Sequence, residues 1–115
     1  MSYTVLFAPE AQHHLADIEL YIARASGSGE TAARFVDSII THCESMELFP
    51  ERGTKRDDLL PGLRITGYRK SVTLAFRVDT QNSTVTILGV FYHGQDYSAL
   101  IAPPEPGEPE TPDWI

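Results

Sequence analysis

Cysteine is nearly absent from the 115-residue sequence. Cys43 is the single one, so no disulfide can form within the chain, and we expect a reducing, cytoplasmic location. No Cys/His spacing typical of a zinc site and no Walker or Rossmann glycine pattern occurs, so we expect no metal, no cofactor and no small-molecule substrate. The opening residues lack a basic region followed by a long apolar run, and no apolar run approaches the ~20 residues that cross a bilayer. The sequence therefore predicts neither a signal peptide nor a membrane segment.

Basic residues are also scarce, because nine Lys and Arg stand against sixteen Asp and Glu, which gives a formal net charge of −7. Residues 52–78 nevertheless contain seven basic and two acidic residues, whereas residues 1–51 contain eight acidic and two basic ones. An acidic chain thus collects its positive charge in one segment. This division predicts a surface whose two sides meet different partners.

The first half of the chain has helical periodicity after a short strand over residues 3–7. From Ala11 to Ala25, apolar residues recur at intervals of four and three, which predicts an amphipathic helix over about residues 9–25. A second apolar stripe predicts a helix over about residues 30–48. The short SGSG link between them makes the two helices antiparallel, as a helical hairpin.

The second half of the chain alternates as strands do. LRIT, from residue 63, predicts one strand, and SVTLAFRV predicts a second, with Val72, Leu74, Phe76 and Val78 on one face. Residues 84–92 are apolar on both faces, as in a covered central strand. The order β-α-α-β-β-β predicts an α+β fold in which the helical hairpin packs on one face of a small, mostly antiparallel sheet. The predicted core consists of Val5, Phe7, Leu15, Ile18, Ile22, Phe35, Ile39, Leu74, Phe76, Ile87 and Val90.

We expect one domain over residues 1–101, followed by an acidic tail over residues 102–115. The tail, APPEPGEPETPDWI, contains five prolines and four acidic residues, so we expect it to be disordered unless it is bound. Trp114 is then either an anchor for a partner or a solvent-exposed residue.

Four segments carry a resemblance to a known family: FAPEAQHHLADIELYIA, AARFVDSIITHCESMELFPERG, RDDLLPGLRITGYRKSVTLAFRV and VFYHGQDY. In this order, over about residues 3–97, they resemble the RelE/ParE superfamily of type II toxins. The long helical hairpin and the HG.D ending are more similar to the ParE branch. The resemblance implies the family's microbial-ribonuclease-like α+β fold.

The ParE branch implies a growth-inhibiting, non-enzymatic toxin that poisons DNA gyrase and stabilises plasmids. It also implies a ParD-like antitoxin as partner, which dimerises through a ribbon-helix-helix domain, so that promoter DNA is contacted only through the antitoxin. Two alternatives stay open. One is a ribosome-dependent mRNA endoribonuclease of the RelE type, and the other is a non-toxic homologue that only binds an antitoxin.

A ribonuclease would use three residues of this chain. Arg64 matches the arginine of the family's GLR and would stabilise charge on the phosphorane, while His93 is the acid–base candidate and Tyr97 a weaker one. Two departures weigh against this activity. Lys55 and Arg56 are followed at once by two aspartates that partly neutralise them, and no basic residue follows in HGQD.

The antitoxin-binding candidates form two groups. An apolar group widens the faces of the helices, which fits either a thicker core or a groove for an amphipathic antitoxin helix. A basic group would pair with the antitoxin's acidic arm. Within that group, Arg69 is alternatively a solvated turn residue and Arg77 the partner of a helix carboxylate. The apolar group consists of Leu20, Tyr21, Val36 and Ile40, and the basic group of Arg64, Arg69 and Arg77.

The remaining polar candidates have structural interpretations. His13 and His14 are adjacent, so their side chains point about 100° apart on a helix, and we expect a surface pair rather than a metal site. His42 is predicted to be packed or hydrogen-bonded. Cys43 is predicted to be a buried small apolar residue rather than a nucleophile.

Overall fold

The computed structural model of the chain describes residues 2–92. They form a five-stranded sheet with two helices and a short 3₁₀ turn on one face. This arrangement confirms the predicted α+β fold and its helical hairpin. His93, Tyr97, the tail over residues 102–115 and its Trp114 lie outside the described residues.

The strand order in the sheet is β1-β5-β4-β3-β2. β1 runs parallel to β5, and the other neighbours are antiparallel. The two-residue edge strand β2 was not predicted, because two residues are too short to show an alternating pattern. The strands are β1 (Thr4–Phe7), β2 (Thr54–Lys55), β3 (Leu63–Tyr68), β4 (Val72–Asp79) and β5 (Thr84–Tyr92).

The helices are α1 (Pro9–Ser26) and α2 (Gly29–Glu44), and the 3₁₀ turn Ser45–Glu47 extends α2. Gly27 ends α1 with a positive φ of 72°, and its N–H donates to the carbonyl of Ala23 at 2.9 Å. The next residue, Ser28, caps α2 by accepting the N–H of Thr31 at 3.2 Å. Because the link has only two residues, the two helices pack antiparallel as a helical hairpin, as predicted.

The main core lies between the helical hairpin and the sheet. Seven of the predicted core residues are buried there, while four are only partly buried and pack against its border. Phe35 is one of these border residues, because its ring also reaches the turn between β3 and β4. The buried seven are Leu15, Ile18, Ile39, Leu74, Phe76, Ile87 and Val90, and the border residues are Val5, Phe7, Ile22 and Phe35.

The opposite face of the sheet carries a second, smaller apolar cluster of Leu63, Ala75 and Phe91. A bulge in β5 distributes its side chains between the two clusters. Ala75 pairs with Gly89 but Phe76 pairs with Ile87, so β5 has one extra residue at this point. The extra residue places Ile87 and Val90 on the same, helix-covered face and confirms that β5 is apolar on both faces.

The prediction that His13 and His14 form a surface pair is wrong for His14. Only His13 is exposed, whereas His14 is partly buried. β1 ends at Phe7, so the edge of β5 beyond Ile87 has no strand beside it. His14 of α1 lies there instead. Its Nδ1 accepts the N–H of Val90 at 3.1 Å, and its ring centroid is 5.0 Å from that of Phe91. Burial lowers the pKa of His14, which favours the neutral ring that this hydrogen bond requires.

Candidate functional site

Positive charge gathers on the helix-covered face of the sheet, at its β2–β3 edge. Arg64 of β3 pairs in register with Phe76, a member of the main core, and on its other side with Lys55 of β2. Cross-strand partners share a face, so both basic side chains belong to the face that carries the helices. The Arg64 Nη1 also donates to the backbone carbonyl of Arg52 at 3.3 Å.

The loop before β2 holds Arg52 in place. Gly53 has a φ of 79°, and a Cβ there would lie 2.3 Å from the carbonyl oxygen of Ile65. Only glycine allows this approach, so the loop backbone lies directly against β3. The Arg52 Nε in turn donates to the carbonyl of Phe49 at 3.0 Å.

His42 of α2 borders these residues. Its ring centroid is 4.5 Å from that of Tyr68, which confirms that it is a packed residue. Burial, and to a lesser extent the charge of Arg52, lowers the pKa of His42, so the ring is neutral at physiological pH. We call Arg52, Lys55 and Arg64 the basic cluster, with His42 at its border.

The basic cluster is suited to holding an anion. Among residues 2–92, the ion pairs are Arg34–Glu30 and Arg56–Asp58, so no described carboxylate neutralises the three cations of the cluster. Two guanidinium groups and an ammonium group within one surface can bind carboxylates or phosphates, the guanidinium groups in bidentate fashion.

The two aspartates after Arg56 act differently from the prediction that they neutralise both neighbouring cations. Asp58 binds Arg56 in a bidentate pair, with both N–O distances 2.9 Å, and this hydrogen bonding lowers the pKa of Asp58. Asp57 accepts the N–H of Gly62 at 2.8 Å and thereby shapes the loop. Lys55 therefore keeps its charge available within the described part of the chain.

Arg77 lies on the other face of the sheet from Arg64. It pairs in register with Leu63 of the second apolar cluster, and its side chain lies next to Gly62, where a Cβ would be 3.6 Å from the Arg77 Nε. The alternative that Arg77 pairs with a helix carboxylate is wrong, because the helices cover the opposite face. Arg64 and Arg77 are therefore not brought together.

Arg69 is not simply a solvated turn residue. It occupies the left-handed region with a φ of 54° at the turn between β3 and β4. Its guanidinium carbon lies 5.3 Å from the ring centroid of Tyr68 and 5.8 Å from that of Phe35. These cation–π contacts bind the turn to α2.

The apolar candidates separate by exposure. Leu20 and Tyr21 of α1 are 51% and 53% exposed, whereas Val36 of α2 is only 6% exposed and belongs to the core. Ile40 is partly buried and packs against the same core. For Val36 and Ile40 the structure therefore agrees with the thicker-core alternative, while Leu20 and Tyr21 stay on the surface.

Cys43 is buried, and desolvation raises the pKa of its thiol to about 12, which confirms an unreactive apolar residue. Over residues 2–92, no group of three His, Cys, Asp or Glu side chains is placed to hold a metal ion. Neither α1 nor α2 is long and apolar enough to cross a membrane, and they are the α-helices of that part.

Two residues of this site were missed by sequence reasoning, Arg52 and His42. Arg52 lies within the FP..G loop and His42 lies in α2 before it, but nothing in the local pattern shows that the loop folds back against β3. Arg64 was the one member singled out from its own sequence context.

One family model matches residues 5–97, that of the ParE toxin of the type II toxin–antitoxin system parDE. The match covers well over half of the chain. No sequence among the curated proteins matches significantly.

Three solved structures share the fold. A chromosomal ParDE toxin–antitoxin system from P. aeruginosa is similar with a TM-score of 0.67 at 20% identity, over 79% of this chain and 96% of that one. A RelBE toxin–antitoxin complex from Mycobacterium tuberculosis has a TM-score of 0.60 at 21% identity, over 83% of this chain and 95% of that one. A mutant E. coli toxin RelE in the free state has a TM-score of 0.61 at 14% identity, over 89% of this chain and 95% of that one.

Proposed function

Since this chain belongs to the ParE toxin family of type II toxin–antitoxin systems, we propose that it inhibits DNA gyrase without catalysing a reaction itself. A ParD-like antitoxin neutralises it by direct binding, and promoter DNA is contacted only through that antitoxin. Gyrase is a cytoplasmic target, so the toxin acts in the cytoplasm.

The basic cluster is the observation that supports an antitoxin partner. It presents three cations that no carboxylate among residues 2–92 neutralises, and Arg52 and Arg64 are fixed by hydrogen bonds to backbone carbonyls. Positioned cations of this kind bind an acidic peptide arm with little loss of side-chain freedom. The family description, which names parDE, supports ParD as the type of antitoxin.

Exposed Leu20 and Tyr21 supply the apolar part of the same proposal. An antitoxin segment with an amphipathic helix followed by an acidic arm would place apolar residues on α1 and carboxylates on the basic cluster. Arg77, which faces the other side of the sheet, then lies outside this surface.

The decisive experiment is gyrase supercoiling of relaxed plasmid, with the purified protein titrated in and ATP present or absent. Loss of supercoiling together with cleaved DNA is the expected result, and the same protein premixed with its antitoxin serves as the inactive control. Unimpaired supercoiling, with protein shown to be folded and free of antitoxin, would overturn the gyrase proposal.

The basic cluster also favours a second candidate, ribosome-dependent cleavage of mRNA. Arg64, Lys55 and Arg52 could surround a phosphate and stabilise its transition-state charge, with His93 as acid or base. Cleavage of ribosome-bound mRNA by the parent protein, lost in Arg64→Ala and His93→Ala, would support this activity. Intact mRNA in all three would exclude it.

A non-toxic, antitoxin-binding homologue is the third possibility. Production of the chain alone in a bacterial host separates it from both toxins, because either toxin arrests growth. Normal growth with folded protein present would favour a role limited to antitoxin binding and promoter control.

A further inference from the structure

A strip of aromatic rings crosses the helix-covered side of the molecule. Tyr21 of α1 contacts Tyr92 of β5, and Tyr92 contacts Phe35 of α2, each with ring centroids 5.7 Å apart. Arg69 then lies over both Phe35 and Tyr68 at the turn between β3 and β4. We call these four rings and Arg69 the aromatic strip.

A cleft adjoins the strip on α2. Thr31, Arg34, Phe35 and Ser38 line it together with Arg69. It therefore offers two guanidinium groups, two hydroxyl groups and the edge of the strip. Arg34 pairs with Glu30 on the exposed helix surface, whereas Arg69 has no carboxylate partner among residues 2–92. Such a lining fits an acidic segment that also has an apolar surface.

The chain itself supplies a segment of this chemistry. The described residues end at Tyr92, whose ring contacts the cleft residue Phe35, so the rest of the chain leaves from the strip. Residues 93–115 contain five acidic residues and neither Lys nor Arg. Residues 93–101 can span up to about 30 Å, which is ample to bring residues 102–115 back over the cleft. The tether gives an effective concentration on the order of mM.

The composition of that segment suits an aromatic surface. Residues 102–115 contain five prolines, and a proline-rich composition favours binding in an extended, polyproline-like form, which aromatic-lined grooves bind at low entropic cost. Such a conformation has three residues per turn. Glu105 and Glu108 would therefore lie on one edge, as would Glu110 and Asp113.

We propose that residues 102–115 bind intramolecularly across the aromatic strip and the cleft, with their carboxylates on Arg69 and Arg34. This docking does not depend on the target of the toxin. It gives Arg34 and Arg69, which are not members of the basic cluster, an acidic ligand in the free protein.

Trp114 makes the proposal measurable, because it is the only tryptophan of the chain. In the full-length native protein, we expect acrylamide to quench its fluorescence about half as effectively as in the denatured chain. Arg69→Gln should raise the quenching about two-fold toward the denatured value, as should salt at about 1 M, where the Debye length falls to ~3 Å. Lys70→Gln, at an exposed neighbouring position in the same turn, is the matched control and should leave the quenching unchanged.

Other outcomes overturn the proposal. Full quenching in the native parent protein would show that the segment is not bound. Protection that survives Arg69→Gln would mean that it binds elsewhere, and protection that disappears on dilution would mean that it binds a second copy. If circular dichroism shows that Arg69→Gln is misfolded, Glu105→Gln with Glu108→Gln tests the same contact from the tail, and unchanged quenching there would also overturn it.

Discussion

The helical hairpin and the basic cluster hold their charges in different ways. The acidic residues of α1 and α2 are all exposed and are spread over the outer surface of the hairpin, where one of them pairs with a described arginine. In the basic cluster, Arg52 and Arg64 are half-buried and each donates to a backbone carbonyl. These hairpin acids are Glu10, Asp17, Glu19, Glu30, Asp37 and Glu44.

This difference separates charge that keeps a surface hydrated from charge that is positioned for a ligand. An exposed carboxylate contributes little to folding and can be replaced at low cost. A guanidinium group fixed by the backbone presents its remaining donors in one direction, which a bidentate anion can use. Substitutions of the exposed acidic residues on the hairpin should therefore change stability little. Substitutions in the basic cluster should weaken the binding of an anionic ligand.

The largest expected effect comes from the glycines that support the two regions. Gly53→Ala should lower the free energy of unfolding by about 3 kcal/mol or more, because the new Cβ would meet the Ile65 carbonyl in addition to the left-handed strain. Gly27→Ala is the control on the hairpin. It has the same strain but nothing within 4 Å of its Cβ, so about 1 kcal/mol is expected. Urea unfolding of both variants measures the difference, and equal losses would contradict the tight loop.

Substitutions on the two faces of the sheet should differ in their effect on affinity for the proposed antitoxin. If the acidic arm of the proposed antitoxin binds the basic cluster, Arg64→Gln should weaken binding by about 2 kcal/mol, roughly thirty-fold, because it removes a charged hydrogen-bonding partner. Arg77→Gln removes the same charge from the opposite face and should change the dissociation constant less than about three-fold. Calorimetric titration with the antitoxin gives both constants. Equal weakening by the two variants would argue that long-range charge, rather than the basic cluster, drives binding.

His14→Ala should cost about 1 kcal/mol of stability at pH 7.5, since the Val90 N–H loses its acceptor. The parent protein should also lose stability in acid. Burial lowers the pKa of His14 below its usual 6.5, so the unfolded chain takes up the proton first as the pH falls. The contribution of His14 to the free energy of unfolding is therefore fully present above pH 6.5. It is lost as the pH falls from there toward the lower pKa of His14 in the folded state.

Thermal unfolding at pH 7.5 and pH 5.5 tests this dependence. The pKa of His42 is lowered as well, so His42 contributes to the acid-induced loss of stability equally in the parent and in His14→Ala. The difference between the two proteins therefore measures the contribution of His14. An identical acid-induced loss in the variant and the parent would show that the hydrogen bond to β5 does not govern it.

The smallest effect is expected on the hairpin surface. Glu30→Gln breaks the exposed pair with Arg34 one helical turn away and should cost only about 0.3–0.5 kcal/mol, a loss that high salt should abolish. Urea midpoints with and without salt provide the measurement. A loss as large as that of Gly53→Ala would refute the contrast between the two regions.

The hairpin could be predicted from the sequence because its signals are local. Apolar residues at intervals of three and four, Pro9 at the start of α1 and the SGSG link lie within a few positions of the structure they specify. The face of Arg77 could also be predicted, since Arg77 alternates with the core residue Phe76, but the alternative pairing with a helix carboxylate does not fit that face.

The basic cluster and the site of His14 could not be predicted, because both depend on distant parts of the chain. Arg52 reaches Arg64 only through the close approach of Gly53 to β3, and β2 is too short to show a period. His14 meets Val90 only because β1 stops short of the end of β5, and the bulge in β5 is not visible in a continuous apolar run. Tertiary contacts, rather than local propensity, determine these features.

The parallel pairing of β1 with β5 also sets the order in which the protein can be completed during translation. Thr4 pairs with Thr84, so eighty residues must be added before the first strand meets its neighbour. At about 5–20 residues per second, this takes about 4–16 s. The hairpin can form early in that interval, whereas β1 has no parallel partner until β5 emerges. Each new molecule of this protein therefore lacks its complete sheet for most of its own synthesis.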